Sequence, residues 1–115
     1  SKEYGHPNDY LSGANIDGAD FSEAHLRGTD FSRASLREVN FQKTDAEGSF
    51  LVGANMENAN LSQANFQNAS LIGVKLAGSN LSQAKLTSAD LKRADLSSKE
   101  TALFNAKHRS QVVAS

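Results

Sequence analysis

A repeat of five residues runs through the sequence from position 9 to position 98. Every fifth position from 11 to 96 is a central position, and seventeen of these eighteen positions hold Leu, Ile, Met or Phe. The small position, two residues earlier, holds Ala in eleven of eighteen units, and the other three positions are mostly polar residues or Gly. A period of five matches neither the 3.6-residue period of a helix nor the two-residue period of a strand, so neither element explains it.

The repeat is satisfied if each unit forms one side of a coil, with the central and small residues inside and the other three residues outside. Four units then close a square coil, and coils stacked at the roughly 4.8 Å spacing of paired strands bury a continuous apolar core. We therefore predict an all-β solenoid of about four to five coils. The predicted core ladder consists of Leu11, Ile16, Phe21, Leu26, Phe31, Leu36, Phe41, Leu51, Met56, Leu61, Phe66, Leu71, Leu76, Leu81, Leu86, Leu91 and Leu96.

Many units share an Ala-(Asn/Asp)-Leu pattern, as in Ala14-Asn15-Ile16, Ala59-Asn60-Leu61 and Ala89-Asp90-Leu91. In this respect the chain resembles the pentapeptide-repeat family over residues 9–98. The resemblance implies a right-handed quadrilateral β-helix. Members of the family occur in cyanobacteria and in plant thylakoids, so the resemblance leaves the cytoplasm, the periplasm and the thylakoid lumen open as compartments.

The ends of such a stack expose unpaired backbone and apolar side chains, so the flanking segments are expected to cover them. Residues 1–8 form the expected N-terminal lead-in and cap, and the first ten residues, with Tyr4, Pro7 and Tyr10, are expected to cover that end with aromatic rings. The sequence Ser97-Ser98-Lys99-Glu100 is a capping box. It predicts a short helix over about 98–110, and residues 99–115 are expected to form the C-terminal capping helix and tail.

The overall composition excludes several classes of function. Twelve Lys and Arg against thirteen Asp and Glu give a net charge of −1, without the basic excess typical of nucleic-acid binding. The chain has no Cys, and its three His lack the spacing of metal ligands. No apolar run approaches the roughly 18 residues of a membrane span. We predict a protein without cofactor, metal or membrane insertion and without enzymatic activity.

One pair of side chains resembles a catalytic arrangement, because His25 should lie directly below Asp45, with Arg27 below Glu47. Without a nucleophile or a pocket, a surface ion-pair ladder is the favoured interpretation. A second column consists of Asp20, Asn40, Asn60 and Asn80. It is interpreted as structural, with amide side chains that form hydrogen bonds along the stack, and not as a binding site.

Charge is distributed unevenly along the predicted axis. Residues 9–57 contain nine acidic and four basic side chains, whereas residues 58–115 contain three acidic and seven basic side chains. Acidic and basic ends should therefore attract one another in low salt. The sequence predicts either a monomer or a homodimer formed through an end of the solenoid.

Three outward apolar residues mark the candidate interaction patch, Phe50, Val52 and Ile72. They lie on the side of the coil built on Leu11, Phe31, Leu51, Leu71 and Leu91, and the other sides are almost wholly polar. Val52 and Ile72 are twenty residues apart, so they should stack. The structural alternative is that Val52 and Ile72 only shield each other and that Phe50 turns inward to fill space beside Ala46, the small exception among the central residues.

These observations leave two hypotheses for function. The first is a rigid, non-enzymatic module that binds another protein or serves a structural role. The second follows from the family resemblance and is inhibition or protection of DNA gyrase or another topoisomerase by mimicry of duplex charge. A net charge of −3 over residues 9–98, from eleven acidic and eight basic side chains, makes a poor copy of DNA. The first hypothesis is therefore favoured.

Overall fold

A computed structural model describes residues 10–96 and the two-residue segment Val112–Val113. Fourteen isolated parallel bridges connect the coils, and every bridge joins a residue to the residue twenty positions later, from Tyr10↔Asp30 to Lys75↔Asp95. Backbone bonds run in both directions between coils: Leu11 N–H donates to the Asp30 carbonyl at 2.8 Å, and Ser35 N–H donates to the Ala14 carbonyl at 2.8 Å. The predicted twenty-residue coil is thus confirmed.

Two segments qualify as β-strands among the described residues, and each is two residues long. Strand β1 is Ala89–Asp90 and strand β2 is Val112–Val113. They pair in parallel, with Ala89 opposite Val112 and Asp90 opposite Val113. The expected lead-in at 1–8 and the expected helix at 98–110 lie outside the described residues.

A tight turn separates consecutive sides of each coil. In the first turn, Ala14 N–H donates to the Leu11 carbonyl at 3.1 Å, and the third turn residue, Gly13, has a φ of +72°. Such a turn needs a left-handed residue at its third position, which explains the corner glycines. Ten other residues, among them Lys43 with a φ of 59°, adopt the same conformation at equivalent corners.

The central and small positions form the interior, as their spacing predicts. From Leu26 to Leu91 every central residue is buried, including Ala46. At the lower end, Leu11, Ile16 and Phe21 are only partly buried. Among the described residues no coil lies beneath these three, which accounts for their partial exposure.

An aromatic cluster occupies the lower half of the core. Phe41 lies at its centre, with ring centroids 5.6 Å from Phe21, 5.8 Å from Phe31 and 6.0 Å from Phe66. Phe66 stands one coil above Ala46 at the same position of the coil. Because its ring approaches Phe41 in the coil below, the small side chain of Ala46 leaves room for an aromatic contact between coils.

Polar side chains at the small positions are buried and differ in their hydrogen bonding. Thr44 Oγ1 donates to the Phe21 carbonyl at 2.7 Å, and Ser79 Oγ donates to the Met56 carbonyl at 2.6 Å. Ser49 Oγ is the one buried side-chain oxygen in the described part of the chain without a hydrogen-bond partner. Ser49 is therefore the polar residue that fits the core least well.

Candidate interaction surface

Phe50 lies in the middle of one side of its coil and points away from the core. Its backbone bridges Asp30 in the coil below and Ser70 in the coil above. Its chain neighbours Ser49 and Leu51 fill the inward positions, so the alternating backbone directs Phe50 outward, where 49% of the residue is exposed. Of the two interpretations of Phe50, the inward one is therefore wrong. The solenoid side that carries it, with the turn that follows in each coil, is called the Phe50 face.

Val52 and Ile72 lie at the first turn position after their central residues. Gly53 N–H donates to the Ile72 carbonyl at 2.8 Å, which places the two turns directly above one another. Val52 is 40% exposed, and Ile72 is partly exposed. The structure therefore brings together the three residues that the sequence singled out, and their role in binding remains a prediction.

Tyr10 belongs to the same face, which the sequence analysis did not predict. Its bridge to Asp30 makes it the first residue of the Phe50 column, and it is 66% exposed rather than folded over the lower end of the core. In the described residues, the three exposed large hydrophobic side chains are Tyr10, Phe50 and Val52. All three lie on the Phe50 face. The sequence did contain a signal for this placement, because the forty residues between Tyr10 and Phe50 correspond to two complete coils.

Glycines keep part of this face flat. Gly53 and Gly73 follow Val52 and Ile72 at the left-handed corner. A Cβ added to Gly53 would meet Arg33 Cγ at 3.6 Å, and one added to Gly73 would lie 4.0 Å from the Gly53 nitrogen. The backbone at these two corners is therefore accessible from outside, with the aliphatic stem of Arg33 beside it.

The neighbouring side of the solenoid contains the His25 and Asp45 pair. His25 does lie below Asp45, as their bridge shows, but the partner of the Asp45 carboxylate is Arg27, whose Nε is 2.6 Å from Oδ2. Arg27 also approaches Glu47, at 3.6 Å. Arg27 is the longer, permanently charged side chain and reaches the carboxylate from the turn. The structure thus supports the ion-pair interpretation.

The column of Asp20, Asn40, Asn60 and Asn80 differs from its expected pattern. Each side-chain oxygen accepts a hydrogen bond from the backbone N–H two residues later, as in Asn40 Oδ1 with Gln42 N–H at 3.0 Å. These bonds run within the coil and stabilise the turn, because a short amide reaches its own backbone more readily than the next coil.

The carboxylate of Asp17 accepts four hydrogen bonds. Oδ1 accepts bonds from Ser35 Oγ at 2.6 Å and from Arg37 N–H at 2.9 Å. Oδ2 accepts bonds from Arg37 Nε at 3.1 Å and from the Arg37 guanidinium NH2 group at 2.8 Å. The Ser35 hydrogen bond, followed by the Arg37 guanidinium, lowers the pKa of Asp17 below its ordinary 3.8.

This lowered pKa predicts an acid dependence of stability. A carboxyl group whose pKa is lower in the folded chain stabilises the fold above its unfolded pKa of about 4, and the contribution disappears as pH falls through the folded value. We expect Asp17→Asn to be less stable than the unmodified protein at pH 6 and to approach it below pH 4. Urea unfolding across this range measures the difference. A difference that stays constant with pH would contradict the assignment.

Neither a metal site nor a membrane helix is found in the described part of the chain. Within residues 10–96, no group of three or more His, Asp or Glu side chains is arranged to hold a metal ion. In the same residues, no helix has the length and apolar character that crossing a membrane requires.

The fold and the outward surface together define a class of protein, a quadrilateral β-helix of five-residue units that offers flat sides to its surroundings. The sequence model for pentapeptide repeats, in eight copies, matches residues 10–42, 40–76 and 64–98. The chain belongs to the pentapeptide repeat family, whose members are right-handed quadrilateral β-helices. Comparison with curated proteins gave no match.

Several solved structures of pentapeptide repeat proteins are similar to this chain. Rfr23 from the cyanobacterium Cyanothece is 31% identical, with a TM-score of 0.39, over 92% of this chain and 64% of its own. A protein from the thylakoid lumen of Arabidopsis thaliana is 23% identical, with a TM-score of 0.42, over 84% of this chain and 77% of its own. QnrB1, a plasmid-mediated fluoroquinolone resistance protein, is 16% identical, with a TM-score of 0.49, over 76% of this chain and 62% of its own.

Proposed function

We propose that the protein is a non-enzymatic, rigid module that binds another protein through the Phe50 face. The observation that carries this proposal is that Tyr10, Phe50 and Val52, the exposed large hydrophobic side chains of the described residues, all lie on one side of the solenoid. Exposed apolar side chains that lie together mark interaction surfaces more often than scattered ones do. Aromatic residues in particular contribute disproportionately to protein interfaces.

The shape of the face suits binding without rearrangement. Phe50, Val52 and Ile72 are attached to a backbone fixed by bonds to the coils below and above, such as Phe50 N–H to the Thr29 carbonyl at 3.0 Å and Gly53 N–H to the Ile72 carbonyl at 2.8 Å. A surface held in this way loses little conformational entropy on association. The neighbouring corners Gly53 and Gly73 present no side chain that would keep a partner away.

The charge arrangement argues against mimicry of DNA. In the acidic half, Asp17 is paired with Arg37, and Asp45 and Glu47 are paired with Arg27. Duplex DNA carries one negative charge per ~1.7 Å of its axis, balanced only by mobile counterions that a binding protein displaces. A carboxylate that is ion-paired with a guanidinium does not imitate a phosphate. Protection or inhibition of gyrase is therefore the second candidate function, and the test below includes it as an alternative outcome.

Simultaneous replacement of Phe50, Val52 and Ile72 by Ser tests the proposal. We expect the variant to keep its fold and to lose a partner that the unmodified chain captures from a native lysate. Binding should then be reproduced with the purified partner. Ser22→Ala, Ser62→Ala and Ser82→Ala, at the equivalent turn positions of another side of the solenoid, provide a matched control that should bind normally.

A partner that binds the triple Ser variant with unchanged affinity would refute the proposal. Unfolding of the variant would identify the patch as structural and would equally refute it. A gyrase supercoiling assay of the unmodified protein, run in parallel, would show protection or inhibition if the second candidate were correct.

A further inference from the structure

We propose that a second copy of this chain docks on the Phe50 face, side by side and in parallel, about a twofold axis that runs along Val52 and Ile72. The inference rests on the proposed function, that this face binds a protein, and it names the partner. The pattern behind it involves two outward columns, one on either side of Val52. The front column is Tyr10, Asp30, Phe50, Ser70 and Asp90, and the rear column is Gly13, Arg33, Gly53, Gly73 and Arg93.

Within each coil, the front and rear residues are complementary in charge or in size. Where the front column has Asp30 the rear column has Arg33, and where it has Phe50 the rear column has Gly53. The same relation holds in the remaining coils, for Tyr10 with Gly13, Ser70 with Gly73 and Asp90 with Arg93. A twofold axis parallel to the stack leaves every residue at its own level and exchanges the two columns. Each front residue then faces its complement on the second copy.

The charges on this face are available for such pairing. The ion pairs formed among the described residues join Arg27 to Asp45 and Glu47, and Arg37 to Asp17, all on other sides of the solenoid. On the Phe50 face, Asp30 and Asp90 each accept a local bond through Oδ1, from Ser32 N–H at 2.9 Å and Lys92 N–H at 3.1 Å. Both aspartates are partly exposed, and Arg33 and Arg93 are exposed.

The apolar part of the face fits the same axis. Phe50, half exposed, would meet the bare backbone at Gly53 of the second copy, where only the Arg33 stem lies within contact of an added Cβ. Val52 and Ile72 would each meet themselves across the axis. Lys92 is the one like-charged contact at the axis, and its long exposed side chain can extend toward solvent.

Pairing along this face differs from the expected contact through an end of the solenoid. Strand β2, Val112–Val113, occupies the edge above Ala89–Asp90. End-on stacking would need that edge for backbone pairing with another chain. Because this stretch of the upper edge is already paired within the chain, it is closed to backbone pairing with a second copy, whereas Phe50 and Val52 on the flat side are exposed.

Analytical ultracentrifugation of the full chain over a range of concentrations tests the proposal. We expect a reversible dimer whose dissociation constant rises at least about tenfold in Gly53→Asn, which would fill the space facing Phe50. Asn tolerates the left-handed conformation at this corner. Gly18→Asn is the matched control, since Gly18 has a φ of +74°, has open space around it and lies at a corner between two other sides.

An exchange of charges provides a second arm. The double variants Asp30→Arg/Asp90→Arg and Arg33→Asp/Arg93→Asp should each be monomeric, because like charges then face each other across the axis. An equal mixture of the two should form a heterodimer. Recovery of the dimer on mixing cannot arise from misfolding of either variant.

The outcomes separate this inference from the proposed function. A dimer that persists in Gly53→Asn and in both charge variants forms through another surface and overturns the inference. A chain that stays monomeric at every concentration also overturns it. If that monomer still captures a different protein and the triple Ser variant does not, the proposed function stands without self-pairing.

Discussion

Replacing Phe41 by Ala is expected to lower the free energy of unfolding by about 3–5 kcal/mol, the usual cost of removing a buried Phe side chain. Phe41 is fully buried and is the shared member of three of the aromatic contacts, with Phe21, Phe31 and Phe66. Its removal leaves a cavity bordered by three rings that are held by different coils. Because those coils are fixed to one another by backbone bonds, they cannot collapse to fill the cavity. Urea unfolding followed by circular dichroism measures the loss.

Phe50→Ala is the matched control for this substitution. It removes the same ring from the outside of the same coil, where half of the residue is already in solvent. We expect a change within about 0.5 kcal/mol, as for other surface substitutions. If Phe41→Ala is too unstable to measure, Phe41→Leu should show a smaller loss in the same direction. Equal losses in Phe41→Ala and Phe50→Ala would mean that the two rings are equally buried, contrary to the structure.

Ser49→Ala is expected to raise the free energy of unfolding by about 1–3 kcal/mol, the desolvation cost of an unpaired buried polar group. Ser49 Oγ is buried and has no hydrogen-bond partner among the described residues. Ala is also the commonest residue at the equivalent position of other units. The substitution therefore removes a buried hydroxyl and leaves a side chain that the coil accommodates elsewhere.

Ser79→Ala at an equivalent buried position should have the opposite effect. Ser79 Oγ donates to the Met56 carbonyl at 2.6 Å, so its removal should cost about 0.5–1.5 kcal/mol. If the free energy of unfolding rises in Ser49→Ala and falls in Ser79→Ala, the effect depends on whether the hydroxyl is hydrogen-bonded and not on the removal of a hydroxyl alone. A loss of stability in both variants would indicate that Ser49 bonds to a group, such as an internal water, that stabilises it.

Most of this fold can be predicted from the sequence, because each five-residue unit of the repeat corresponds to one side of a twenty-residue coil. A central residue such as Leu51 and an outward residue such as Phe50 are distinguished by position alone, and their burial follows that distinction. Register is equally predictable, since twenty residues separate every bridged pair. The corner glycines follow from the same geometry.

Other features depend on side-chain reach, which a five-residue period does not encode. The capture of Asp45 by Arg27 rather than by His25 depends on the length of the arginine side chain. The contact between Phe41 and Phe66 depends on how the rings tilt between coils. The pairing of Val112–Val113 with Ala89–Asp90 joins the stack to a segment outside the repeat, for which the period makes no prediction.

The candidate interaction surface was partly predictable. Phe50, Val52 and Ile72 stand out because outward positions elsewhere are polar, and the structure places them on one face. Tyr10 shares the register of Phe50, but its position at the start of the repeat favoured a role in covering the end. The proposal that a second copy binds this face depends on the complementarity between its columns, which is seen when the outward residues are arranged coil by coil.

Photo-crosslinking from the Phe50 face tests the central claim most directly. Benzoylphenylalanine in place of Val52 would report contacts of that face, and the same group in place of Ser82, an exposed residue at the equivalent turn position of another side, is the control. We predict a crosslinked protein from position 52 and none from position 82, with a second copy of the chain as the product if self-pairing occurs. Equal crosslinking from both positions, or none from position 52, would contradict the account.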